Sequence, residues 1–179
     1  MLPPYLSHDD LDDLIERALA GAVRRAKTRC FISTPYFVPP PSLSRALQDA
    51  ARRGVDVRVL TAGQTDRAVA RWAGWHRFER FLRAGVRIFE LFGRILHSKT
   101  MTVDGAFGSI GSYNMDAWTI RHMLDLNLLI ASSDVARSIE EEFQDDMPDA
   151  KEIMLEEAED RDPLHRLAHG LTYHAYRWL

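Results

Sequence analysis

"KTMTVDGAFGSIGS", residues 99–112, contains two short apolar stretches joined through Asp104-Gly105. An Asp-Gly pair in that setting is a hairpin signal, because both residues tolerate the positive φ that a tight turn demands. The segment therefore predicts two adjacent antiparallel strands. What precedes it has another rhythm. "CFIST" (30–34), "VDVRVLTAG" (55–63) and "VRIFELF" (86–92) are short apolar runs, each separated from the next by a helical pattern. Strands alternating with helices build a helix-covered sheet, and the hairpin makes that sheet mixed. "DLNLLIAS" (125–132) supplies a further strand. The expected fold class is α/β: a mixed β-sheet flanked by helices, in a single domain spanning 1–179, with a helical C-terminal tail.

The helices are marked at their ends. Residues 7–29 carry acidic side chains in the first turns and basic ones in the last, which suits the helix dipole. Residues 42–54 have serine as the expected cap and Gly54 as the stop. Residues 65–85 close on Gly85 and place Trp72, Trp75, Phe78, Phe81 and Leu82 at helical spacing, a core-facing stripe with His76 beside it at the surface. Residues 134–147 form another helix, and a tail over about 148–179 is expected to be helical. There Leu164, Leu167, Ala168, Leu171 and Ala175 recur at three- and four-residue spacing. That stripe suits docking on the domain, or lying in a bilayer interface with Tyr173, Tyr176 and Trp178 as anchors.

Bulk properties narrow the class. A hydrophobic content of 46% and a charged content of 27% are those of a folded globular protein. A net charge of −3 gives no general attraction for nucleic acid, so an anion site must be local. Cys30 is the sole cysteine, which excludes an internal disulfide and a multi-cysteine metal centre. Within an apolar run it reads as a buried structural thiol. With neither a secretion signal at the start nor an uninterrupted apolar span, the chain is expected to be cytoplasmic or peripheral to a membrane.

Chemistry concentrates in "LHSKTMTVDGAFGSIGSYN", residues 96–114. Two positions apart on a strand, His97 and Lys99 share a face. The Gly-Ser-x-Asn segment follows the neighbouring strand and brings Asn114 to the same region. Imidazole, ammonium and amide together suit a phosphate: lysine supplies charge, asparagine a neutral donor, and histidine a nucleophile or proton carrier. Alone, each element is more often a core histidine or an ordinary turn. Together, His-x-Lys-x4-Asp-x6-Gly-Ser-x-Asn arises by chance in on the order of one in a million chains at average residue usage.

This spacing resembles the HKD signature of the phospholipase D superfamily, here over about residues 91–118. "TPYFVPPPSLSRAL", "AARRGVDVRVLTAGQTD" and "RFLRAGVRIFE" look like the second half of bacterial cardiolipin synthases, over roughly residues 20–147. The resemblance implies a phospholipase D-like half and a phosphatidyltransferase or phosphodiesterase acting on glycerophospholipids such as phosphatidylglycerol. Carried over residue by residue, it implies that His97 forms a phosphohistidine or protonates the leaving alkoxide, and that Lys99 and Asn114 grip the phosphate. Asp104, the third letter of the signature, belongs with the catalytic motif but is usually a structural partner outside the chemical step. Asp125 takes the place of a histidine-orienting glutamate. Neither cofactor nor metal is implied, and the implied location is peripheral to the inner membrane.

Such catalysis needs two motifs facing each other, and this chain has one: no other histidine is followed by lysine two positions later. The second HKD half then comes from a homodimer or a companion chain. A single-motif nuclease and a non-catalytic half, serving dimerisation or lipid binding, remain as alternatives, with nucleic acid disfavoured by the charge. Tyr36 and Phe37 of "TPYFVPP" are candidate substrate contacts, because loops beyond strand ends hold ligand sites in α/β sheets.

Overall fold

Parallel strands β1 (Arg29–Ser33), β2 (Asp56–Ala62) and β3 (Arg87–Leu91) form the centre of a seven-stranded sheet. The computed structural model describes residues 8–65, 68–116, 125–160, 170, 172 and 173. Helix α1 (His8–Arg25) leads into β1, while α2 (Pro41–Arg52) and α3 (Ala68–Arg83) make the two crossovers. Beyond β1 come β4 (Thr100–Val103), β5 (Phe107–Gly111) and β6 (Asn127–Ile130), each antiparallel to its neighbour. With β7 (Ala150–Ile153) at the other edge, the strand order is β6-β5-β4-β1-β2-β3-β7, mixed as the hairpin requires. Asp104 and Gly105 both have positive φ, 55° and 62°, and Ala106 N–H donates to Val103 O at 3.1 Å.

Side-chain alternation divides the core between the two faces. Cys30, Ile32, Val57, Val59, Ile88 and Met101 face α1, α2 and α3, where Leu19, Leu43, Leu47, Phe78 and Phe81 meet them. Phe31, Leu60, Phe89 and Leu91 point the other way, toward Phe143 of α4 (Ser133–Asp146). Phe143 stacks on Phe31 with ring centroids 5.0 Å apart. Helix α4 starts as its sequence suggests, with the Ser132 side chain accepting from Val135 N–H.

Four sequence expectations need correction. First, α1 stops at Arg25 because the backbone N–H groups of Lys27, Thr28 and Arg29 donate to the Asp104 carboxylate instead of continuing the helix. Second, Pro40 occupies the cap position of α2 with Pro41 in the first turn, and Ser42 donates its hydroxyl to Glu16. A proline there gives up no helical bond. Third, Trp72 is exposed rather than core-facing; Phe78 and Phe81 are buried, and Trp75 is half-buried. Fourth, the tail opens with a strand. After a 3-10 turn at Met147–Asp149, β7 (Ala150–Ile153) pairs antiparallel with β3, and only then does α5 (Leu155–Glu159) begin. The pattern "AKEI" hides this strand because only Ile153 is buried, while Lys151 and Glu152 guard an open edge. The stripe Leu164, Leu167, Ala168, Leu171 and Ala175, with Tyr176 and Trp178, lies outside the described residues. Tyr173 accepts a hydrogen bond from Arg77 and packs at a tilt against His76, ring centroids 5.2 Å apart.

One buried ion pair ties α3 to the sheet. Glu90 on β3 accepts from Arg71 at 2.9 and 2.8 Å and from the Trp75 indole at 2.7 Å.

Candidate active site

Strand β4 runs antiparallel to β1 with Ser33 opposite Thr100, so residues just before Thr100 lie beyond the C-terminal ends of the parallel strands. Open α/β sheets place ligands at that end. His97 there opens into a cleft of about 440 Å³, walled by Pro35 and Tyr36, by Ala62, Gln64 and Thr65, and by Ile95 and Leu96. His97 and Lys99 sit on an extended segment rather than in β4 itself. Gly111 N–H donates to Lys99 O at 3.2 Å and carries the ladder one step past the strand.

Lys99 Nζ donates to His97 O at 2.8 Å and lies 3.5 Å from His97 Nδ1. Burial holds the ammonium below the usual lysine pKa, partly offset by the negative charges of Asp125 and Asp116. Partial desolvation strengthens its pull on an incoming anion, which the nearby Asp125 and Asp116 carboxylates oppose. Asn114 is half-buried between buried Tyr113 and Met115. Its stretch is fixed from the other side: Val38 N–H donates to Met115 O at 3.0 Å, and Met115 N–H reaches Thr34 Oγ1 at 3.4 Å. The Tyr36 turn and the Asn114 turn are thereby fastened to each other.

Other candidates stand elsewhere. Phe37 is 2% exposed and packs on Phe81 at 5.0 Å between ring centroids, so it is core and only Tyr36 lines the cleft. Asp104 is at the far end of β4; seven residues at roughly 3.3 Å each separate it from His97 by up to about 23 Å. There its carboxylate accepts from Lys27, Thr28 and Arg29 N–H and from the Thr28 hydroxyl, which makes it a clamp on the α1–β1 junction. Asp125 does lie at the site end, but its Oδ1 accepts from Ser112 Oγ at 2.7 Å and no hydrogen bond joins it to His97.

The comparisons with known proteins can be set on this geometry. The family described as "Cardiolipin synthase, PLD-like domain" matches residues 19–147. The chain belongs to that family. It is 32% identical over 164 residues to a cardiolipin synthase of Clostridium perfringens, covering 92% of this chain and 34% of that protein. It is 33% identical over 163 residues to cardiolipin synthase A of Yersinia pseudotuberculosis, covering 90% and 33%. The chain thus spans about a third of the length of the curated relatives it matches. Among solved structures, the fold resembles Nuc of Salmonella typhimurium, a phospholipase D family member (TM-score 0.64, 21% identity, 76% of this chain and 89% of that one). It also resembles phosphatidylserine synthase of Haemophilus influenzae (TM-score 0.71, 14% identity, 92% and 45%).

In this PLD-like domain the sequence left three supporting residues unassigned. Ser112 accepts from Leu126 N–H at 3.0 Å while donating to Asp125, and Asn127 bridges Ser109 and Tyr113. Asp116 is fully buried beside Asn114. A polar Asn127 in an otherwise leucine-rich strand was the available signal.

The Asp104 clamp has a pH signature. Burial works to raise its pKa, but hydrogen bonds from Thr28, Arg29 and Lys27 outweigh that and hold it below the ordinary carboxylate value. A carboxyl depressed in the folded state contributes stability above its unfolded pKa of about 3.9, and that contribution is lost as pH falls through the lower folded value. Asp104→Asn keeps a residue tolerant of positive φ but weakens the acceptor. It is expected to cost roughly 1–2 kcal/mol at pH 7, with the difference from wild type vanishing near the acid limit. Urea midpoints measured against pH check this.

Proposed function

We propose that the domain is one half of a phosphatidyl-transfer centre, in which His97 attacks the phosphorus of a glycerophospholipid such as phosphatidylglycerol. One observation carries it: His97 stands at a cleft whose walls include Pro35, Ala62, Ile95 and Leu96 and, among the described residues, no arginine or lysine, while the partly desolvated Lys99 lies 3.5 Å from its Nδ1. A nucleic-acid groove needs a basic track, whereas a single lipid phosphodiester needs one cation and apolar surroundings.

In the reaction a His97 ring nitrogen forms a bond to phosphorus as the bond to the leaving alkoxide breaks. Lys99 and Asn114 hold the non-bridging oxygens. A histidine from the second half gives its proton to the alkoxide, then takes the proton of the acceptor alcohol as that oxygen displaces His97. If a second lipid's hydroxyl is the acceptor, the product is a cardiolipin; with water it is a phosphatidic acid. Lys99 must turn from His97 to the phosphate, which frees Nδ1 to carry the ring proton and donate it to an acceptor. The buried Asp125 Oδ2, which has no hydrogen-bond partner in the structure, is the acceptor assigned to it.

The second half is supported by the chain's single motif and by its open sheet edge. Ile110 and Leu128 are opposite each other on β5 and β6, and both are exposed, with exposed Leu126 two residues before Leu128. They directly adjoin Gly111 and Asp125 of the site. A lipid substrate is what leads this reading to put the domain at the lipid surface; no described helix is long and apolar enough to cross a membrane. The test is glycerol release from phosphatidylglycerol vesicles, alone and with a companion HKD half, alongside sedimentation. Turnover should track the two-motif assembly and survive chelators, since His97 and Lys99 supply nucleophile and charge. An active monomer, or cleavage of DNA in preference to lipid, would overturn the reading.

A further inference from the structure

Asn127 opens β6 opposite Gly111, and Gly111 N–H is bonded to Lys99 O. Lys99, Gly111 and Asn127 therefore form one row across three adjacent segments, with the side chains at its two ends on the same face. The middle place of that row is filled from the side. A Cβ at position 111 would stand 2.1 Å from Asn127 Oδ1 and 2.2 Å from Leu126 O, so the Asn127 amide occupies the room that a residue-111 side chain would take. From there it reaches both ways along β5. Its Oδ1 accepts from Tyr113 N–H at 3.2 Å, and its Nδ2 donates to Ser109 Oγ at 3.0 Å. The amide orientation follows from chemistry, since a backbone N–H can only donate. Tyr113 immediately precedes Asn114.

We infer that Asn127 is a positioning residue of the phosphate site, holding the Gly111–Asn114 segment in register with Lys99 by bridging Ser109 and Tyr113. The inference rests on the phosphate reading of Lys99 and Asn114. It also accounts for the glycine of Gly-Ser-x-Asn: any larger residue at 111 evicts the bridging amide.

Two substitutions separate position from charge. Asn127→Ala removes the bridge. Asn127→Asp preserves it, because a carboxylate accepts from Tyr113 N–H and from the Ser109 hydroxyl, which rotates to donate. Asp at 127 adds a third carboxylate to the Lys99 surroundings, beside Asp125 and Asp116. Nuclear magnetic resonance on the full chain reads both effects, as hydrogen exchange of the Tyr113 amide and as the shift titration with inorganic phosphate. Asn127→Ala is expected to speed Tyr113 exchange and to weaken phosphate roughly tenfold, the worth of about one hydrogen bond. Asn127→Asp is expected to keep Tyr113 protected while still weakening phosphate, and more so at low salt.

Lys99→Ala serves as the reference for the site itself. If Lys99→Ala weakens phosphate but Asn127→Ala matches wild type in affinity and exchange, Asn127 holds nothing and the inference is overturned alone. If wild type fails to bind phosphate, or binds it no better than Lys99→Ala, the phosphate reading falls and takes the inference with it. Fast Tyr113 exchange in Asn127→Asp would also overturn it, since the preserved acceptor would then not be what holds the segment.

Discussion

Replacing His97 with alanine is expected to lower phosphodiester turnover by roughly 10⁴-fold or more while leaving the fold as it was. The imidazole is exposed at the cleft, and among the described residues its side-chain neighbour within hydrogen-bond range is Lys99 at 3.5 Å, so its removal opens no core cavity. On the proposed mechanism, it removes the atom that bonds phosphorus. Lys99→Met should match it in direction, by about 10²–10³-fold, because the cation grips charge that builds up in the transition state. The two variants should part company in stability. Burial lowers the Lys99 pKa, so the folded state holds this ammonium less well than the unfolded chain does. That penalty is present below the folded pKa and disappears above the unfolded one, so at neutral pH Lys99→Met should melt no lower than wild type. A functional group that costs stability is the usual mark of a site kept for chemistry. Turnover is measured in whichever two-motif assembly the wild-type chain is active, with melting temperatures beside it. Asp125→Asn should depress kcat more than KM, and Asp125→Glu should retain or raise kcat by restoring the longer reach. Full turnover by homogeneous His97→Ala protein would sink the phosphohistidine mechanism.

Much of this was legible because it depends on local rules. Asp104-Gly105 announced the hairpin, and the hairpin in turn fixed which end of the sheet His97 and Lys99 occupy. Gly54 and Gly85 end their helices at positive φ, 90° and 93°, as their positions suggested. What stayed hidden depends on pairings between distant segments. Asp104 is a letter of the signature with an implied structural role, and nothing local reveals that its carboxylate collects three backbone donors from residues 27–29. Phe37 and Tyr36 are neighbours in one stiff loop, and only the packing of α3 decides that the first is core and the second lines the cleft. β7 has no hydrophobic rhythm of its own; its pairing with β3 makes it a strand. Asp125 is the expected partner of His97, and nothing local shows that it accepts from the Ser112 hydroxyl on the opposite side of the β5–β6 connection.

The other large effect belongs to the buried pair behind the cleft. Arg71→Ala is expected to destabilise the fold by about 3–5 kcal/mol, the cost of stranding a buried charge. Glu90 is 2% exposed and Arg71 is 32% exposed, and this asymmetry decides which half of the pair matters more. Without Arg71, the Glu90 carboxylate keeps only the Trp75 indole as donor and has no route to water. Without the Glu90 charge, Arg71 still reaches solvent, so Glu90→Gln should cost only about 1–3 kcal/mol. Arg71 also lies over the Trp75 ring at 5.7 Å, which leaves packing as a rival source of the loss. Arg71→Met tests that rival by keeping an apolar stem without the charge. If stranded charge is the cause, Arg71→Met should be nearly as damaging as Arg71→Ala, and adding Glu90→Leu to Arg71→Met should restore most of the stability. Urea midpoints at unchanged slope give the values. A single Arg71→Ala loss under about 0.5 kcal/mol, or a double variant no better than Arg71→Met, would mean that α3 is held by its apolar packing and that the pair contributes little.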